Sequence, residues 1–281
     1  MNQEYQKYLE QMKNSVMPKL TNKYEESTQE RSQTKAHSIC PKCNGSGWET
    51  YIGEDGYEYA KECSCGIRQK EIQESRLRFA SIPETYKNVT LKDMRTKCYT
   101  KQESKDLIRA AAEFVNWYME KLDKNIEEGK GIYLWSEVKG SGKTMLITAL
   151  ANELINKHQK SVKFATSLDI LDEIRATYDP HSEVKESDLL RDLYNTEFLV
   201  IDDFGTERAT DWVGEKFYQI VNNRYINNKV TFFTSNYDLK TLKYDDRITN
   251  RMRERSYIIH FPEESVREFI ARVENNPTQQ T

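Results

Sequence analysis

The stretch Ser136-Glu137-Val138-Lys139-Gly140-Ser141-Gly142-Lys143-Thr144 has the residue types and spacing of a loop that wraps a phosphate. Gly140 and Gly142 let backbone N–H groups, with that of Ser141 between them, close on an anion. Lys143 can reach outer phosphates and the Thr144 hydroxyl can hold Mg²⁺. The pattern G-x-x-x-x-G-K-[ST] departs at its first position, where Glu137 stands for glycine. A side chain forced there into a left-handed backbone costs roughly 1–2 kcal/mol, which leaves nucleotide binding intact because phosphate approach depends on the two later glycines.

Phe198-Leu199-Val200-Ile201 reads as a buried strand running into Asp202-Asp203. Two carboxylates at a strand end suit Mg²⁺-assisted phosphoryl transfer: Asp202 holds the metal, through water, and Asp203 activates the attacking water. Asp203 is one methylene shorter than glutamate, so slow hydrolysis is expected. A glycine-rich turn alone is compatible with an ordinary turn, and an Asp pair alone with a strand cap; both together, in this order, specify a nucleotide site. Asn236, at the end of Phe232-Phe233-Thr234-Ser235, offers an amide to orient the water or sense the γ-phosphate. Arg247, Arg251, Arg253 and Arg255 follow in DDRITNRMRER, where a solvated charge run is the plain reading, and Arg267 falls in an expected helix.

A second chemistry lies upstream. Cys40 and Cys43 in CPKC and Cys63 and Cys65 in CSC leave nineteen residues between the pairs. Four thiolates suit tetrahedral Zn²⁺ in a closed, structural site. The tight C-x-C spacing keeps His37, in a three-cysteine arrangement, as an alternative ligand; an iron–sulfur cluster and a disulfide are weaker options. Cys98 stands apart as an ordinary buried or half-buried thiol.

These groups need a frame. GIYLWS, SVKFATS, TEFLVIDDFG and VTFFTSN read as strands, and GKTMLITALANELINK and LDILDEIRATY as helices between them. Such alternation predicts an α/β fold, a parallel sheet flanked by helices, because strands buried on both faces are continuously apolar. Before it come a charged helical run, GIRQKEIQESRLRFA, a new unit starting near Pro83, and a polar linker ahead of the cysteines. Tyr5, Tyr8, Leu9, Met12, Val16 and Leu20 recur at helical spacing and predict an amphipathic helix over residues 3 to 17, either packed on a core or offered to a partner. The 281 residues, 37% hydrophobic, suffice for one sizeable domain and a smaller module. The net charge of −3 excludes wholesale polyanion binding, so any nucleic-acid contact is regional. Without a signal peptide or spanning apolar run, a cytoplasmic location is expected, and no membrane partner.

With the phosphate loop, double-Asp strand, TSN, DRITNRM and the late SVR in this order, residues 79 to 270 resemble the AAA+ ATPases of the DnaC/DnaI-type helicase loader family. The resemblance implies that Lys143 and Thr144 are Walker A, Asp202 and Asp203 Walker B, Asn236 sensor I, Arg251 an arginine finger with Arg247 in reserve, and Arg267 sensor II. It also implies an N-terminal docking region over 1–78, with its zinc module at 40–65, before an ATPase domain over 79–281. The cofactors would be ATP, Mg²⁺ and Zn²⁺, and the partners a hexameric replicative helicase, single-stranded DNA and further copies of the chain. Its expected source is a Gram-positive bacterium or its phage. Tyr178, His181 and Lys185 lie where that family places helical structure near DNA, although a solvated loop reads as well. CPKCNGSG also resembles one zinc repeat of the DnaJ-type chaperones. Two rivals stand beside the loader: an IstB-like transposition helper acting on duplex DNA, and a non-catalytic inhibitor of a host loader or helicase.

Overall fold

The structure, a computed structural model, describes residues 40–94 and 96–275, with side chains as far as 271. The helix expected over residues 3 to 17 and His37 lie outside the described residues. Seven strands are present among the described residues: β1 (Trp48–Ile52), β2 (Glu58–Glu62), β3 (Gly131–Trp135), β4 (Val162–Thr166), β5 (Phe198–Phe204), β6 (Val230–Ser235) and β7 (Ser256–His260). The last five form one sheet in the order β4-β5-β6-β3-β7, and all their pairings are parallel.

Alternation along each strand divides the apolar side chains between two cores. Ile132, Leu134, Phe198, Val200 and Phe232 pack on one face, against Leu150 and Leu154 of helix Lys143–Asn156 and Ile108, Val115 and Tyr118 of helix Gln102–Glu120. Tyr133, Leu199, Ile201 and Phe233 pack on the other, with Ile170 and Ile174 of helix Ser167–Ala176, Phe217 and Ile220 of helix Asp211–Ile226, and Ile248 and Met252 of helix Asp246–Arg255. Helix Lys143–Asn156 is apolar almost all round because it lies under neighbouring elements along most of its length.

Parallel strands put all their C-terminal ends on one side of the sheet. The strand order then seats β6 between β5 and β3, so the loop after β3, the carboxylates ending β5 and Asn236 after β6 meet at one edge.

One polar group crosses the second layer. Arg224 is 1% exposed, and its guanidinium donates to the carbonyls of Leu193 (2.6 Å), Thr196 (3.0 Å) and Val230 (2.5 Å) and to Thr231 Oγ1 (2.9 Å). Burial pulls its pKa down to about 9, and it remains a cation at neutral pH.

The cysteine region is built differently. β1 and β2 form an antiparallel hairpin with Trp48 opposite Glu62 and Ile52 opposite Glu58, and nearly all its residues are exposed. Helix Ile67–Ala80 leads from it to the large domain and spans position 78. Leu77 and Ala80 join the first core and Gln73 bonds to Asn156, 2.8 Å away.

Candidate functional site

The loop between β3 and helix Lys143–Asn156 takes left-handed conformations at Gly140 (φ 77°) and Gly142 (φ 100°), where glycine lacks the Cβ that would clash. Glu137 is not among the positive-φ residues, so the backbone cost expected for it does not arise. Its N–H instead donates to Glu263 Oε1 (3.1 Å), while Val138 N–H donates to Glu263 Oε2 (3.1 Å). A carboxylate from beyond β7 thus closes the mouth of the loop, leaving the Glu137 side chain exposed. The same segment is fastened twice more. Val266 N–H donates to Gly140 O (2.9 Å), and Glu264 accepts from Thr100 N–H (2.7 Å), Thr100 Oγ1 (2.6 Å) and Lys101 N–H (3.1 Å). From the inner side, Tyr99 donates its hydroxyl proton to Ser141 O at 2.7 Å.

Lys143 is buried, and its ammonium donates to Ser136 O and Val138 O, both at 3.1 Å. Desolvation lowers its pKa, while Asp203, Glu263 and Asp202 nearby act against that. A cation held by neutral carbonyls at the base of an amide-lined loop suits an incoming polyanion.

Thr144 Oγ1 lies 3.0 and 3.1 Å from the two oxygens of Asp202, and Thr234 Oγ1 donates to Asp202 Oδ1 at 2.5 Å. Asp202 is buried; desolvation chiefly, with repulsion from Asp203, pushes its pKa up to about 6. A hydroxyl and a carboxylate in direct contact at the loop's helical start are oxygen donors of the kind Mg²⁺ takes beside phosphates. Asp203, by contrast, is exposed and left-handed (φ 54°) at the irregularity that interrupts β5 pairing after Ile201. Its N–H donates to Thr234 Oγ1 at 2.9 Å, so one hydroxyl touches both acids of the pair.

Lys139, Gly140, Ser141, Gly142, Lys143, Thr144, Asp203, Asn236 and Arg267 line a single cleft of about 430 Å³, with Tyr86 and Ile270 at its sides. Arg267 lies over the loop: a Cβ added at Gly140 would stand 2.9 Å from its Cδ. The structure therefore brings together the sequence-derived loop, both acids, the amide and the late arginine. Arg251 is elsewhere. It lies over the rings of Tyr218 and Tyr225, each 5.4 Å away, and donates to Arg247 O at 2.8 Å, with its buried Nε unpartnered. Arg247 is ion-paired with Asp245 at 3.0 Å. Sequence reasoning missed Glu263, Glu264 and Tyr99, whose roles come from tertiary contacts to the loop.

Residues 118–267, just over half the chain, match the family model described as IstB-like ATP binding protein. The chain belongs to that family. It is also 30% identical over 156 residues to a replicative helicase loader, DnaC, of Buchnera aphidicola subsp. Acyrthosiphon pisum, a match covering 54% of this chain and 61% of that one. The phage-like element PBSX protein XkdC of Bacillus subtilis is 29% identical over 255 residues, covering 88% of both. Among solved structures, a crystal structure of DnaI aligns with a TM-score of 0.50 at 26% identity, over 65% of this chain and 95% of that one. The cleft thus lies in an AAA+ domain of the IstB/DnaC type. Among the described residues no helix is long and apolar enough to cross a membrane.

The second expected site is also assembled. The four sulfurs of Cys40, Cys43, Cys63 and Cys65 lie within 4.8 Å of one another, Cys40 and Cys63 at 3.8 Å and Cys43 and Cys65 at 3.6 Å. Those separations are far beyond a disulfide's and match the edge, about 3.8 Å, of a tetrahedron with Zn–S of about 2.3 Å. Backbone hydrogen bonds from Cys43 and Lys42 lower the Cys40 thiol to about 7. Cys98 is half-buried.

Proposed function

We propose that this chain is an ATP-dependent loader of a replicative helicase onto single-stranded DNA, with an ATPase cycle as its switch. What supports the reading is the convergence of Lys143, Asp203, Asn236 and Arg267 on one cleft, in a chain similar to replicative helicase loaders. Bound there with Mg²⁺, ATP would supply a phosphoanhydride to be cleaved. The Lys143 ammonium and the loop amides would hold the phosphates, while Thr144 and Asp202 would hold the metal. Asp203 would take the proton of the attacking water, Asn236 would orient that water, and Arg267 would report the γ-phosphate to the segment it rides on.

Arg251 is assigned to the nucleotide of a neighbouring copy. Its distance from the cleft suits action across an interface, and Arg247 already has Asp245 as its counter-ion. Residues 1–78, with zinc on the four thiolates, form the helicase-docking region, and 79–281 form the ATPase that self-assembles and holds DNA.

Purified full-length chain should hydrolyse ATP slowly, and faster with single-stranded DNA than with duplex. Arg251→Ala and Lys143→Ala should each be inactive, and a mixture should regain partial activity, because one type of interface joins an intact loop to an intact arginine. Stimulation by duplex alone would instead favour a transposition helper. No turnover under any condition would favour the non-catalytic binding protein, and a co-assembled mixture that stays inactive would return the finger role to Arg247.

A further inference from the structure

Asp203 holds a left-handed conformation that a non-glycine residue adopts only when its surroundings enforce it. The enforcement is visible at both ends of the residue. On its N-terminal side Thr234 takes the N–H. On its C-terminal side the Asp203 carbonyl accepts from Thr206 Oγ1 (2.8 Å), with Ser167 Oγ 3.1 Å away. Ser167 begins the helix after β4, on the far side of Asp203 from Thr234.

Behind this turn lies a carboxylate that the phosphate chemistry does not use. Glu207 is 7% exposed and does not line the nucleotide cleft. One of its oxygens accepts from Ser167 Oγ at 2.5 Å, and both accept from Gly205 N–H at 3.1 and 3.2 Å. The other oxygen accepts the Tyr244 hydroxyl proton. Glu207 thus collects donors from three places: the turn after Asp203, the helix start at Ser167, and the segment just before helix Asp246–Arg255. Tyr244 is further locked by stacking on Phe204, with centroids 5.0 Å apart and planes 17° apart, and by an edge contact with Phe217. Burial and the Glu207 carboxylate both raise the Tyr244 pKa, so it stays a phenol and a donor.

We infer that Glu207 is a positioning residue: it fixes the Asp203 turn and, through Tyr244, couples that turn to the helix that carries Arg247 and Arg251. The inference rests on the ATPase reading only for its consequence in turnover; the coupling itself is a property of the turn. On the proposed reading it links Asp203, facing a subunit's own nucleotide, through Glu207 and Tyr244 to the chain that enters the arginine helix.

The test uses full-length protein carrying Glu207→Gln and, as a milder variant that keeps the ring, Tyr244→Phe. Three quantities are read: affinity for a fluorescent ATP analogue, steady-state ATP hydrolysis, and amide exchange in 203–206 against the core strands. For Glu207→Gln, affinity should stay within about twofold, kcat should fall at least about tenfold, and the 203–206 amides should exchange at least about tenfold faster while β3 and β6 keep their protection. Tyr244→Phe should show the same pattern, with kcat down about threefold and exchange also quickened at the start of helix Asp246–Arg255. Unchanged exchange at 203–206 in both variants would overturn the inference, as would affinity and core protection lost together, which would make Glu207 merely a fold residue. If wild-type protein binds ATP without turning it over, the ATPase reading fails, and the exchange measurement still decides the coupling.

Discussion

The nucleotide cleft and the cysteine module solve the same problem, holding functional atoms a few ångströms apart, by opposite means. In the cleft the loop is fixed by the protein's own contacts: Glu263 holds its mouth, Val266 its middle, Tyr99 its far turn, and two apolar layers lie beneath. In the module β1 and β2 are almost wholly exposed, and among residues 40–66 Cys43 and Cys63 are the buried apolar side chains. A hairpin of two five-residue strands is marginal alone, and on the proposed reading a metal held by the four clustered thiols supplies its organising energy. Preorganisation by a core makes a site that outlasts its ligand; preorganisation by a metal makes one that does not.

The largest effect expected from that contrast follows metal removal. Chelation, or Cys40→Ser with Cys43→Ser, should abolish amide protection in the hairpin, because metal-binding energy in so small a module is folding energy. Nucleotide affinity should be unchanged. Metal analysis of the purified protein should give about one zinc per chain, and loss of nucleotide binding on chelation would break the comparison.

A smaller effect is expected at the best-fastened point of the cleft. Gly140→Ala places a side chain on a left-handed backbone and 2.9 Å from Arg267 Cδ. The backbone alone costs about 1–2 kcal/mol, and relief requires Arg267 to leave the loop. Calorimetry should show a Tm lower by several degrees together with weaker ATP binding. Equal affinity would mean that Arg267 is not held in place by the loop.

The smallest expected effect concerns Glu264. Burial would raise its pKa, yet the donors of Thr100 and Lys101 prevail and hold it at about 2, against a usual 4.5. A depressed carboxylate pKa stabilises the fold above its unfolded value and loses that contribution as pH falls through the folded one. The Tm advantage of wild type over Glu264→Gln should therefore be full above about pH 5 and shrink progressively as the pH falls towards 2. An advantage that grows on acidification would refute the assignment.

The cleft was largely legible in the sequence because its groups are contiguous with the elements that carry them. Lys143 and Thr144 begin a helix, Asp202 lies in the last half of a buried strand, and Asn236 follows another, so periodicity and spacing suffice. β7 was not legible, since SYIIH is short, lies at the sheet edge and leaves Ile258 exposed. Helix Gln102–Glu120 carried a readable signal in Ile108, Ala111, Val115 and Tyr118, whose spacing of three to four marks one buried face. The hairpin between the cysteine pairs has little apolar alternation to betray it. Glu137 misled in a specific way: the motif ties its first position to glycine, but the backbone there stays in ordinary territory because Glu263 supplies acceptors from 126 residues away.

Arg224 has a consequence of another kind. Its acceptors come from Leu193 and Thr196, at the end of one helix and the approach to β5, and from Val230 and Thr231 at the start of β6. No subset of these segments can strip the guanidinium of water without leaving N–H groups bare, so its burial becomes favourable only when all of them have arrived in register. Burying Arg224 therefore penalises any arrangement in which these segments are out of register. A chain with β5 or β6 slipped by one residue would leave guanidinium N–H groups without their carbonyls where the second core closes, a cost that the native register alone avoids.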